Sequence, residues 1–129
     1  MDLPALALIA ARPISLRYSL LALLARLPQI ESVHSVEDAR SLLAVTSATP
    51  PQLVVLDANL PGEKIGPLLA QIKTIAPQAC TVVLVDHVEE QQELQTTPAD
   101  LVLLKGHPAA ELFARVEQLL TLDKQGGAT

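Results

Sequence analysis

Two charged side chains stand where chemistry could be done. Asp57 closes the apolar run Leu53-Val54-Val55-Leu56 and is followed by Ala58-Asn59-Leu60-Pro61-Gly62, so its carboxylate is expected on a turn with an exposed face. Lys105 closes a second apolar run, Leu101 to Leu104, ahead of Gly106-His107-Pro108. If both runs are strands of one parallel sheet, the ammonium can approach the carboxylate across the end of that sheet. Spacing alone leaves two readings open: a functional carboxylate with a cationic partner, or a strand-end ion pair with no activity.

Other reactive residue types are weaker candidates. Asp86 and His87 follow the apolar run Thr81 to Val85 and could supply an acid or a metal ligand. A loop Asp-His pair more often starts the next helix or faces water, and nothing is built on it. Cys80 has no second cysteine to pair with, and no Cys/His spacing resembles a zinc site, so it reads as an inert thiol at the start of a strand. His34 and His107 read as surface or cap residues. No Gly-x-Ser-x-Gly elbow, Walker-type loop or Gly-x-Gly-x-x-Gly sequence is present, so no hydrolase or nucleotide-binding reading is supported and no catalytic residue is assigned.

Composition narrows the setting. The 129 residues fit one ordinary domain. Half the chain is hydrophobic, yet it contains one Phe, one Tyr and no Trp, so the core must be built from Leu, Val, Ile and Ala. Such a core suits a parallel sheet covered by helices. The net charge is −5 and the nine Lys and Arg are scattered, which argues against direct nucleic-acid binding by this segment. No run reaches the ~18 apolar residues of a membrane span, and the short apolar start lacks a basic region before it. A cytoplasmic protein without membrane contact is expected.

The elements that must position Asp57 and Lys105 follow from periodicity. Ala5 to Ala10, Gln52 to Leu56, Thr81 to Val85 and Leu101 to Leu104 are short and nearly continuous in apolar character, as strands buried on both faces should be. Ile30 to His34 alternates and reads as an exposed edge strand. Between them, Leu16, Leu20, Leu23 and Leu24 recur at helical spacing after Pro13 and Ser15. Ser35 to Asp38 resembles a helix cap with acids in the first turn, ahead of Ala39, Leu42 and Leu43. Ile65, Leu68, Leu69 and Ile72 mark a third helix ended by Pro77. The polar stretch from Asp86 to Pro98 predicts a short, loosely packed fourth. Pro108 sits where a first-turn proline is tolerated, ahead of Leu112, Val116, Leu119 and Leu120. Five strand–helix units with right-handed crossovers predict an α/β, flavodoxin-like doubly wound (βα)5 domain, its five parallel strands in the order 2-1-3-4-5. The domain is expected over residues 1–122, with 123–129 a flexible tail or the start of a linker.

These segments resemble the receiver domains of two-component response regulators over essentially residues 4–122. Pro51 to Gly62 looks like the family's phosphoacceptor strand and loop, and Leu103-Leu104-Lys105 is similar to its fifth strand with the terminal lysine. Arg17, Leu20 and Leu23-Leu24 match the first helix, and Ala76-Pro77 before Thr81-Val82-Val83-Leu84-Val85 matches the approach to strand four. The resemblance implies that Asp57 takes the place of the phosphate-accepting aspartate and Lys105 that of the phosphate-contacting lysine. It also marks departures. The acidic pair that holds Mg²⁺ after strand one is replaced by Ala11 and Arg12, the hydroxyl residue ending strand four by Val85, and the aromatic switch residue of strand five by Val102. One extra residue lies between Gly62 and Gly66.

Asp57 with a guanidinium beside it is a poor site for Mg²⁺, a hard cation that relies on oxygen ligands, so no metal or other cofactor is expected. Two readings of Arg12 stay open: with Lys105 it holds Asp57 as an ion triad in the metal's place, or it points into solvent. The resemblance thus implies an atypical signal-transduction receiver, not an enzyme, that works by protein–protein interaction. The alternative is an ordinary phosphorelay receiver that accepts phosphate on Asp57 from a histidine kinase. Partners implied are a histidine kinase or an output domain, which could be a DNA-binding one outside this chain, and a second copy in a homodimer. The resemblance implies a contact face on helix four, strand five and helix five; Leu112, Phe113 and Val116 lie there, though such residues are more often core than interface.

Overall fold

The computed structural model describes residues 5–60, 62 and 64–126, the last four as helix backbone only. Strands and helices alternate as β1 (Leu6–Ala10), α1 (Ile14–Leu24), β2 (Ser32–Val36), α2 (Ala39–Ala48), β3 (Leu53–Asp57), α3 (Ile65–Ile75), β4 (Cys80–Val85), α4 (Val88–Glu93), β5 (Leu101–Leu104) and α5 (Ala109–Gly126). Every strand pairing is parallel and the sheet order is β2-β1-β3-β4-β5, the flavodoxin-like arrangement expected from the alternation.

The continuous apolar runs follow from burial on both faces. β1, β3 and β4 are buried at every position, because helices cover each side of the sheet. Since side chains alternate along a strand, each run supplies two core layers. One layer joins Leu8, Leu56 and Val83 to Leu42, Leu69 and Ile72 on α2 and α3. The other joins Ile9, Val55, Leu84 and Leu103 to Leu20 and Leu24 on α1 and Val116 and Leu120 on α5. The edge strand β2 is exposed or half-buried throughout, in line with its mixed sequence, though it begins two residues later than Ile30.

Local signals were realised with small shifts. Asp38 is the N-cap of α2 and accepts from the Ser41 N–H at 2.7 Å, while Ser35 and Val36 are still strand. That backbone bond holds the Asp38 carboxyl below its ordinary pKa. α4 is a single short helix with no buried residue, capped where Glu90 Oε1 accepts from the His87 N–H at 3.1 Å. Gly62 has φ +76°, a conformation costly for other residues, in the loop that leads from β3 to α3. α5 continues to Gly126, into the segment expected as a tail or the start of a linker, since Asp-Lys-Gln after the packed turn of Leu119 and Leu120 does not break a helix. Residues 127–129 lie outside the described residues.

At the end of the sheet opposite Asp57, a second carboxylate pins β4 to β5. Asp100 Oδ2 accepts from the Thr81 N–H at 2.8 Å and from Thr81 Oγ1 at 3.2 Å, with Lys73 Nζ 3.7 Å away. Thr81 is buried, so Asp100→Ala is expected to lower unfolding stability by about 1–2 kcal/mol in urea denaturation. An unchanged midpoint would show that the pin contributes nothing.

Candidate functional site

Period-two alternation aims four strand ends at one place. The face covered by α1 and α5 carries Ile9 then Ala11, Val55 then Asp57, Leu84 then Asp86, and Leu103 then Lys105. Along three of these strands the chain switches from apolar to charged at the last same-face position. That switch lies outside the carboxyl ends of the strands, where ligands of doubly wound folds bind.

Asp57 is 4% exposed, and Lys105 Nζ lies 2.7 Å from its Oδ1. The Asn59 N–H donates to the same oxygen at 2.9 Å, closing an Asx turn after β3. Lys105 also reaches Asp86, with Nζ 3.3 Å from Oδ1. The Asn59 side-chain amide donates to Asp86 Oδ2. Asp86 itself is anchored through its N–H, which donates to Glu90 Oε1 at 3.2 Å. One ammonium therefore bridges two carboxylates, and the loops after β3, β4 and β5 are tied together. Burial pulls the Lys105 pKa down, but its contacts with Asp57 and then Asp86 outweigh this and leave it above the ordinary value.

The triad reading of Arg12 and Lys105 is thus half right. Lys105 is present, but Arg12 is exposed and has no hydrogen bond or ion pair with any described residue. The Ala11 N–H donates to Val36 O at 3.2 Å and carries the extended backbone one step past β1. Ala11 then falls on the face of Asp57, and Arg12 does not. The third member of the triad is Asp86, which sequence reasoning set aside. Its signal was parity: Asp86 lies two residues beyond Leu84, the register partner of Asp57.

Val85 is also displaced from the site. It is fully buried in the opposite layer with Leu56 and Val83, so the residue of strand four that faces Asp57 is Asp86. Val102 is half-buried against that same opposite layer, and its carbonyl accepts from Gln91 Nε2 of α4 at 2.9 Å. Leu112, Phe113 and Val116 pack into the layer beneath α1 and α5, the core role such residues more often have, with Arg26 5.8 Å over the Phe113 ring. Cys80 is buried in β4, and His107 Nδ1 lies 3.2 Å from Glu111 Oε2.

The donor set does not fit Mg²⁺. The end of β1 supplies Ala10 and Ala11, both fully buried and without a side-chain oxygen. The two carboxylates that remain, Asp57 and Asp86, already share the Lys105 ammonium. Among the described residues no cluster of three His, Cys, Asp or Glu could hold a metal ion. No helix among them is long and apolar enough to cross a membrane.

No protein-family model matches the sequence, and no curated protein matches it either. Solved structures do. The signal receiver domain of an HD domain-containing protein from Pseudomonas fluorescens superposes with a TM-score of 0.84 at 21% identity, covering 99% of this chain and 95% of that one. A CheY-like response regulator receiver domain protein from Methanospirillum hungatei gives 0.83 at 17% identity, covering 96% and 99%. A DNA-binding response regulator of the LuxR family from Staphylococcus aureus gives 0.78 at 17% identity, covering 90% and 98%. At these identities the likeness speaks to architecture, and in architecture the chain has the CheY-like fold of response-regulator receiver domains.

Proposed function

We propose that this chain is a signalling receiver of the two-component type that acts by binding protein partners, with little or no Mg²⁺-dependent phosphorylation. The observation that carries the reading is the Lys105 ammonium held between Asp57 and Asp86, where the end of β1 offers only Ala10 and Ala11. Phosphoryl transfer depends on a metal ion to offset charge developing on the transferred group. A lysine fixed between two carboxylates offsets their charge instead, and holds one arrangement of three loops without an external ligand. Such a module is not an enzyme. Its partners are a histidine kinase or an output domain, the latter suggested by the DNA-binding response regulator among the similar structures.

Retention of Asp57 and Lys105 in contact favours a second reading, an ordinary phosphorelay receiver in the cytoplasm. Mg²⁺ separates the two. Titrating the protein with millimolar Mg²⁺ should leave the amide resonances of Asn59, Asp86 and Lys105 in place. Saturable shifts at those three residues would favour the ordinary receiver.

A further inference from the structure

We infer that the outer face of α1 is a docking surface for a second copy of this chain, packed antiparallel about a two-fold axis. Amphipathic surface helices normally bury one apolar stripe and expose a polar one. α1 has two apolar stripes. Leu20 and Leu24 face the core, whereas Ile14, Tyr18, Leu21 and Ala25 form a second stripe on the flank of the helix, exposed except at Leu21, which is half-buried against the core. Ile14 is 57% and Tyr18 68% exposed, and Tyr18 is the most exposed large hydrophobic residue of the described chain. Their spacing of four, three and four is that of a helix–helix seam.

The seam is self-complementary. Its positions are symmetric about the middle of the helix, so a two-fold axis there sets Ile14 of one copy against Ala25 of the other, and Tyr18 against Leu21. Each large residue thereby meets a smaller one. Beside the stripe runs a groove of about 490 Å³ between α1 and the edge strand β2, lined by Tyr18, Leu21, Ala25, Ile30, Glu31 and Val33.

Charge selects the occupant. Residues 3–30 contain three Arg and no acid. Arg17 is engaged by Glu37 at 3.6 Å and Arg26 lies over Phe113, which leaves Arg12 uncommitted at the start of α1. Glu31, exposed and without an ion pair among the described residues, closes the groove at the other end, since its N–H donates to Ala5 O ahead of β1. A uniformly acidic partner helix would meet Glu31, and a basic one Arg12. An antiparallel copy brings each Arg12 to the other's Glu31, twice per dimer.

The inference is independent of the ion cluster at Asp57, and sedimentation equilibrium of the full chain tests it. The wild type should show a reversible monomer–dimer equilibrium, and Tyr18→Glu should abolish it. Either Arg12→Glu or Glu31→Arg, both exposed and harmless to folding, should weaken dimerisation about tenfold or more, because each puts two like-charge contacts in one interface. The double reversal should restore it. A wild type that stays monomeric at all concentrations would overturn the inference, as would a dimer insensitive to Tyr18→Glu. A double reversal no better than the singles would overturn it too, and so would a monomer whose Tyr18 face is covered by some other protein.

Discussion

Replacing Lys105 with Met should destabilise the protein by about 3 kcal/mol, because it leaves a buried carboxylate without its counter-charge. Among the described residues Asp57 keeps only the Asn59 N–H in that variant, at 4% exposure. The cost reflects the stranded charge more than the net worth of the ion pair, so Asp57→Asn in the same chain should recover most of it. Urea denaturation of wild type, both single variants and the double variant closes the cycle, and additive losses would rule out the coupling. The pH dependence carries a sign. The folded pKa of Lys105 lies above its ordinary value of 10.5. Its stabilisation is therefore complete below about that pH and is lost as pH rises through the folded value. Wild type and Lys105→Met should converge in stability under strongly alkaline conditions.

A loss of similar size with a different signature is expected at Leu8→Ala, also about 3 kcal/mol. Leu8 is fully buried in the middle of β1, between β2 and β3, and packs into the layer beneath α2 and α3. The cavity left there is dry and uncharged, so the loss should be the same at neutral and alkaline pH, when measured by urea denaturation. Leu8→Ala should also leave the Lys105 contacts intact, since its side chain lies on the other face of the sheet. If its cost shrank with pH as that of Lys105→Met does, the division of the core into two layers would be wrong.

The contrast between these residues explains what the sequence made legible. Buried parallel strands advertise themselves, because both faces demand apolar side chains, and β1, β3 and β4 are legible to within one residue at each end for that reason. β2 was placed two residues early, because an edge strand with one exposed face lacks that constraint. At the site, Asp57 and Lys105 were recognisable as charges that end apolar runs. Asp86 carries the same signature, but the following His87 made it look like the start of a helix. The place of Arg12 in the resemblance, after strand one, and its charge both suggest a partner of Asp57, whereas the pleat decides which residues can meet. Counting in twos from Leu84 to Asp86, and from Ile9 to Ala11, separates the members of the cluster from Val85 and Arg12.

In that cluster Lys105 bridges Asp57 and Asp86, and under the proposed function its ammonium does the work that Mg²⁺ does in a phosphorylated receiver. The direct measurement is the intact mass of the protein after incubation with Mg²⁺ and a small-molecule phosphodonor. An unmodified chain is expected, with the same amide spectrum when beryllofluoride replaces the donor. A stoichiometric, Mg²⁺-dependent phosphoryl adduct that disappears in Asp57→Asn would contradict it.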